Sequence, residues 1–287
     1  MRYALLVGLV VLAVAAVPQL CRAGSFDGVG STLQPGQISL SAGYWYQQEK
    51  WEGTDVTGTG SASVAGRGSI GVSQTVSLSS FTTSSNQGYG QASVGIYNGW
   101  EGYLRLGGAD IASNSATYLF SDSKPSDGMK LFGTVGINGA VYKDKMFAIG
   151  PFAQFTYYLQ NYTDSASVSG QFLGATGTAT ETVTFKNYYT IKAGFAGAVT
   201  IQDAVTIYGG PFWNYARATL DFDVTGSGTY QGRAATLIAS GDTTVKNDCD
   251  IGGMLGVKIP ITKALSIGVE GQYAGAWAAG ARITYAF

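Results

Sequence analysis

Eleven charged side chains recur at spacings that would turn them to one side of successive β-strands: Glu101, Arg105, Lys186, Lys192, Arg217, Asp221, Asp248, Asp250, Lys258, Glu270 and Arg282. Most of them alternate with apolar residues, as in Leu104-Arg105-Leu106 and Val257-Lys258-Ile259. Alternate residues of a strand point to opposite faces, so an apolar outer face would send these charges into a common interior. Two kinds of chemistry suit such a set. Charges of both signs in a narrow space pair, hydrogen-bond and fill it. In a wider, water-filled space the same rows would select ions or small polar solutes.

Other reactive groups are scarce. The chain has no histidine, the side chain that most often serves as a general base near neutral pH. We expect no catalytic, cofactor-binding or metal-ligating set. Gly66-Arg67-Gly68-Ser69-Ile70-Gly71 has the letters of a dinucleotide fingerprint. It lacks the preceding strand and following helix on which that motif depends. Ser121-Asp122-Ser123-Lys124 has the letters of a serine–lysine nucleophile, but Pro125 follows at once and no helix brings the two together. Cys249 has no basic neighbour nearer in sequence than Lys246 and reads as a small packed side chain. With 17 Lys and Arg against 18 Asp and Glu, the chain lacks the basic footprint that nucleic acid requires.

The elements that would position the charges are strands. Ile38, Leu40, Ala42, Tyr44 and Tyr46 share one face of the first, and Leu265, Ile267, Val269 and Tyr273 share one face of the ninth. Similar alternation marks about ten segments, each near the 9 to 11 residues that a tilted membrane-spanning strand needs. Beyond the N-terminal segment no apolar run reaches about 20 residues, so any spanning must be by strands, and an open sheet would leave peptide groups unpaired in lipid. The expected fold is therefore all-β: a closed antiparallel transmembrane up-and-down β-barrel over 37–287, of ten strands, with eight or twelve also compatible. Tight turns such as Asn98-Gly99 alternate with long polar segments at 51–86, 112–128, 163–181 and 224–243. Short turns on one side and long extracellular loops on the other are the habit of such barrels. Several wall strands are expected to continue into those segments as exposed hairpins, because Thr178–Thr184 and Thr219–Thr229 keep strand-forming residues, and Ser69–Ser80 would serve as a further strand pair.

Both ends point the same way. Met1-Arg2, the apolar run Ala4–Val17 and Cys21-Arg22-Ala23 read as a signal peptide over 1–23, cleaved near Ala23. A lipid anchor at Cys21 is the competing reading, which Pro18-Gln19-Leu20 fits poorly. Residues 24–36 would form a Gly-rich lead-in on the periplasmic side. The final segment ends Gly280-Ala281-Arg282-Ile283-Thr284-Tyr285-Ala286-Phe287. It resembles the C-terminal signal strand of bacterial outer-membrane β-barrels, with Gly280, Ile283, Tyr285 and Phe287 on the pattern and Ala278 off it. In architecture the chain is similar to the small OmpA-like and porin-like barrels. That resemblance implies a monomer in the bacterial outer membrane, inserted by the barrel assembly machinery among outer-membrane lipid and lipopolysaccharide. Lacking histidine, the chain resembles none of the outer-membrane barrel phospholipases, deacylases, acyltransferases and proteases.

Tyr44, Tyr46, Trp100, Tyr157, Tyr189, Tyr273, Trp277, Tyr285 and Phe287 lie near strand ends and read as two interfacial girdles. Open aqueous channels appear in barrels of about 16 to 18 strands, so a ten-strand interior favours a charge network over a pore. The expected role is structural or surface-interacting, through the loops and toward a ligand or partner protein that the sequence does not name. The alternative is a narrow porin-like channel for ions or small polar solutes.

Overall fold

The computed structural model describes residue 29 and residues 33–113, 128–172, 175–202 and 204–287. The signal-peptide reading, most of the lead-in and the Ser121–Lys124 pattern lie outside these residues. No helix occurs among the described residues. Fifteen strands do: β1 (Ile38–Trp51), β2 (Thr54–Val64), β3 (Gly68–Leu78), β4 (Phe81–Tyr97), β5 (Trp100–Ser113), β6 (Lys130–Gly139), β7 (Tyr142–Lys143), β8 (Phe147–Tyr158), β9 (Tyr162–Phe172), β10 (Ala175–Ile201), β11 (Val205–Tyr230), β12 (Arg233–Lys246), β13 (Ile251–Pro260), β14 (Leu265–Tyr273) and β15 (Trp277–Ala286).

Ten of them pair in a cycle. The antiparallel order β1-β4-β5-β6-β8-β10-β11-β13-β14-β15 returns to β1, where Leu40 faces Tyr285 and Tyr46 faces Ala279. A cycle of pairings removes the edges that an open sheet leaves. The remaining strands correct the sequence expectation, which counted about ten. The segments 51–86, 163–181 and 224–243, expected as loops, are mostly strand. β10 and β11 pair from Ile201↔Val205 to Thr176↔Thr229, about 85 Å of hairpin at ~3.3 Å per residue. Their far ends take on β9 and β12, and β12 takes on the β2–β3 hairpin. The result is a six-stranded extension, β3-β2-β12-β11-β10-β9, rising from one side of the ring.

Local chemistry fixes the geometry at two kinds of place. Gln231 and Gly232 both have positive φ, 49° and 74°, the twist that a two-residue turn between antiparallel strands requires. Asn187 has φ 52°, where the β10–β11 register shifts between Lys186 and Tyr189. This bulge reverses the facing of β10. Glu181 and Val183 point inward on one side of it, Tyr188, Thr190 and Lys192 on the other.

Inward aromatics lie flat against glycines of neighbouring strands: Tyr89 on Gly43, Tyr103 on Gly136, Tyr208 on Gly256 and Trp45 on Gly280. A methyl group at any of these glycines would collide with the ring above it. Paired this way, glycine makes room for a large side chain in a narrow interior.

Candidate functional site

The interior of the ring is filled, in two different ways. Toward the extension it is aromatic and apolar. Trp51, at the top of β1, is fully buried, stacks on Phe81 at 6.2 Å and meets the edge of Tyr188 at 5.4 Å. Its Nε1 donates to Thr83 Oγ1 at 3.0 Å. Tyr158 and Tyr188 stack at 4.1 Å, nearly parallel, and the Tyr158 hydroxyl accepts from Gln87 at 3.0 Å and Gln47 at 3.2 Å. Phe132, Val245 and Leu220 complete the layer.

Deeper, the filling is polar. Arg105 sits over the Tyr89 ring at 4.4 Å and the Tyr103 ring at 5.5 Å, and its Nε and Nη2 donate to Gln91 Oε1 at 3.0 and 2.8 Å. Glu270 accepts from the Tyr208 hydroxyl at 2.7 Å and from Gln272 at 2.6 Å. Glu49 accepts from Asn214 at 3.1 Å, and Lys192 is buried 5.9 Å from the centre of the Phe212 ring. Tyr103 donates to Gln154 at 3.0 Å, and Asn138 donates to Glu101 at 3.1 Å. Hydrogen-bonding of this density is what makes buried charge tolerable. At the short-turn end a cavity of about 390 Å³ remains, bordered by Glu101, Lys258 and Arg282, with Val29 and Leu33 of the lead-in also on its wall.

Of the charges expected in the interior, Glu101, Arg105, Lys192, Glu270 and Arg282 are buried there, and Lys258 is half-buried at the cavity. Five are elsewhere. Arg217, Asp248 and Asp250 are exposed, and Lys186 pairs with Asp221 on the outer surface. Asp248 pairs outside with Lys50, which it holds above the usual lysine range through a hydrogen bond and its charge. The facing of β11 is the reverse of the sequence expectation. Phe212, Ala216, Ala218 and Leu220 are buried inside, while Trp213, Tyr215 and Arg217 lie on the outer side. The rule that apolar residues face outward fails where the interior is itself apolar.

Tyr44, Tyr157, Tyr273, Tyr285 and Phe287 are exposed on the outside, and Tyr46, Trp100, Tyr189 and Trp277 are partly covered. An outer aromatic row at the upper level, Phe155, Tyr189, Tyr215 and Trp213, each about 6 Å from the next, adds three residues to the expected Tyr189. The inward set Trp45, Gln47, Glu49 and Trp51 is also new, although its period of two is visible in the sequence. Gly280 pairs with Trp45 across β15 and β1, and Ile283, Tyr285 and Phe287 line the outer face of β15. Gln37 Nε2 donates to the Phe287 carbonyl oxygen at 2.8 Å, tying the last residue to the start of β1. The Cys249 thiol donates to the Ile251 carbonyl at 3.2 Å, and its side chain lies against Gly275.

No protein-family model matches the chain, and neither does any curated protein. Several solved structures do. The translocator domain of the autotransporter NalP from Neisseria meningitidis is 12% identical with a TM-score of 0.40, covering 99% of this chain and 95% of that one. The outer membrane protease OmpT from Escherichia coli is 10% identical with a TM-score of 0.33, covering 92% and 100%. The toluene transporter TodX from Pseudomonas putida is 8% identical with a TM-score of 0.34, covering 93% and 98%. These neighbours are outer-membrane proteins with unlike activities. What this chain does is therefore read from its own residues.

Proposed function

We propose that this chain is an integral β-barrel of the bacterial outer membrane, plugged by its own side chains, whose contacts with other molecules are made by the extension above the membrane. The observation that carries the reading is the filled interior beneath that extension: Trp51 fully buried, Trp45, Phe132 and Lys192 each 1% exposed.

The membrane assignment is supported by the outer face. On β11 the outward residues are apolar or aromatic from Val205 to Tyr215 and then turn polar at Arg217, Thr219, Asp221 and Asp223. That band is about 33 Å of strand, and a tilt of about 40° brings its height to ~25 Å, the apolar height of an outer-membrane barrel. β1 changes at the same level, from Tyr44 and Tyr46 to Gln48 and Lys50. Outside the band, Lys50, Lys246 and Lys186 pair with Asp248, Glu52 and Asp221. Water on both sides would leave Ile38, Leu40, Leu104, Leu106, Val135 and Ile137 as one large uncovered apolar surface. The surroundings are then outer-membrane lipid and lipopolysaccharide, reached through the assembly machinery and its recognition of the C-terminal strand. The buried charges act as a structural network and the outer aromatics as girdles.

The cavity beside Glu101, Lys258 and Arg282 favours a second reading, a narrow channel for ions or small polar solutes. Refolded protein in a planar bilayer separates the two. The plugged barrel gives no steady current although inserted, and Trp51→Ala together with Tyr188→Ala produces one. Steady current from the unaltered chain would overturn the plug.

A further inference from the structure

The extension has two unlike faces. Its outer face is mainly Ser and Thr, with Ile238 exposed among them: Ser63 pairs with Thr236 at 2.7 Å, Ser167 with Thr180 at 2.7 Å and Ser169 with Thr178 at 3.0 Å. The inner face of the same strands carries Val64, Ala62, Ile70, Leu237, Ala235, Ala179 and glycines. A sheet standing in water has no reason to turn an apolar face to an empty space, since burying such a face is what would stabilise it. The inner face borders a trough of about 320 Å³ lined by Ala62, Val64, Ile70, Ala179, Tyr230 and Leu237. That volume is in the range of small-molecule sites. Gly226 to Tyr230 spans about 13 Å at ~3.3 Å per residue, the length of an extended chain of about ten methylenes.

Charge says what stands at one end of it. Across 57–75, 165–180 and 225–241, the upper parts of all six strands and the turns between them, the only charged residues are Arg67 and Arg233. Both lie at hairpin tips. Arg67 borders the trough, and the Arg233 guanidinium lies against Gly66 with Nη1 donating to the Ala65 carbonyl at 3.4 Å. Backbone bonding from Ala65 N to the Ala234 carbonyl at 2.8 Å holds the two tips together. Neither arginine is paired with a carboxylate among the described residues. The nearest acids along the strands, Asp55, Asp164, Glu181, Asp223 and Asp242, all lie nearer the ring.

We propose that the trough binds a single-chain amphiphile with an anionic head, the chain along Ala62, Ile70, Ala179 and Leu237 and the carboxylate or equivalent anion at Arg67 and Arg233. The proposal rests on the extension being the working surface. Guanidinium groups suit the head because they donate two parallel hydrogen bonds to a carboxylate. The outer Ser and Thr face keeps the sheet in water while the inner face stays available to the chain.

Equilibrium dialysis of radiolabelled decanoate against the full chain in lipid nanodiscs, with empty nanodiscs subtracted, tests this. One saturable site per chain is expected, weakening as salt is raised. The Arg67→Ala, Arg233→Ala double variant should bind decanoate about ten-fold more weakly and 1-decanol unchanged. Ile70→Asp, at an exposed position on the trough wall, should weaken both. Resistance to unfolding on cold gels shows that each variant is folded. No saturable excess in the unaltered chain, or equal decanoate binding by all three proteins, would overturn the site. Conductance of the same preparation keeps the two proposals apart: a silent bilayer without decanoate binding sinks the ligand and leaves the plug, whereas steady current with saturable binding does the reverse.

Discussion

The ring and the extension are built from the same strands with opposite polarity. On β11 the outward side chains pass from Ile207, Trp213 and Tyr215 in the ring to Thr225, Ser227 and Thr229 in the extension. Inward, the same strand passes from Tyr208 and Asn214, through Leu220 and Phe222, to Gly226 and Gly228. In the lower ring, apolar groups face out and hydrogen-bonded polar groups face in. In the extension, mostly hydroxyls face out, and apolar groups and glycines face in. On β11 the period of two is unchanged across the boundary; what changes is which face carries the apolar residues. β10 adapts by a bulge at Asn187, and β11 by a change of residue type alone.

The largest test of this contrast compares two arginines expected from the sequence to share the interior. Arg105 is 3% exposed and donates twice to Gln91, whereas Arg217 stands on the outer surface at the boundary. Arg105→Ala should lower the unfolding free energy in urea by about 3 kcal/mol, because it removes two charge-assisted hydrogen bonds from a buried site. Arg217→Ala should change it by less than about 0.5 kcal/mol, as exposed substitutions do. Equal losses would mean that the facing of β11 is wrong.

A smaller effect tests whether Gly280 serves the ring as well as the terminal strand. Gly280→Ala would push a methyl group into the Trp45 ring, an overpacking that costs about 1 to 3 kcal/mol. Combining it with Trp45→Phe should recover part of that loss, read as a non-additive double-mutant cycle. If the two changes add, Gly280 is required for something other than room beneath Trp45.

Much of the ring was legible because the outward faces of its strands obey one rule. Ile38, Leu40, Tyr44, Leu104, Leu106, Ile283 and Tyr285 are exposed as their alternation predicts. The rule stops working where the inside is apolar too. Phe212, Ala218 and Leu220 look like a lipid face and are core, so Arg217 and Asp221 were turned the wrong way. The bulge at Asn187 was hidden for a related reason. Val183, Phe185, Tyr189 and Ile191 keep one parity in sequence, but they lie on two faces in space. The extension was legible as strand-forming Thr and Val, yet its Gly and Ser content read equally well as loop. Its pairing with distant strands, as of Leu237 with Ala62, leaves no local signal. Of the site, the buried Arg105, Lys192, Glu270 and Arg282 were found by parity. Asn214 was missed because it sits between Trp213 and Tyr215, which dominate its strand, and Glu49 because it lies in the unbroken polar run Gln47-Gln48-Glu49-Lys50, where alternation gives no facing.

The smallest effect contrasts the turns at the two ends. The extension tip at Gln231-Gly232 turns on two residues of positive φ, whereas the short turn before β8 is held by a side chain. The Asp144 carboxylate accepts from the Met146 and Phe147 amides, both at 2.7 Å, and from the Tyr142 hydroxyl at 2.9 Å. The two backbone bonds, and then the tyrosine, hold its pKa below the ordinary 3.8. A depressed carboxylate stabilises the fold above its unfolded-state pKa, and that stabilisation is lost as pH falls through the lower, folded value. Asp144→Asn should therefore unfold slightly earlier than the unaltered chain at pH 7, and the gap should close below about pH 4. Replacing Gln231 by Asn, which tolerates positive φ, should produce no such pH dependence. Apparent unfolding temperatures of the three proteins between pH 7 and pH 2 decide it. A gap that persists unchanged at pH 2 would mean that Asp144 holds its turn by shape rather than by charge.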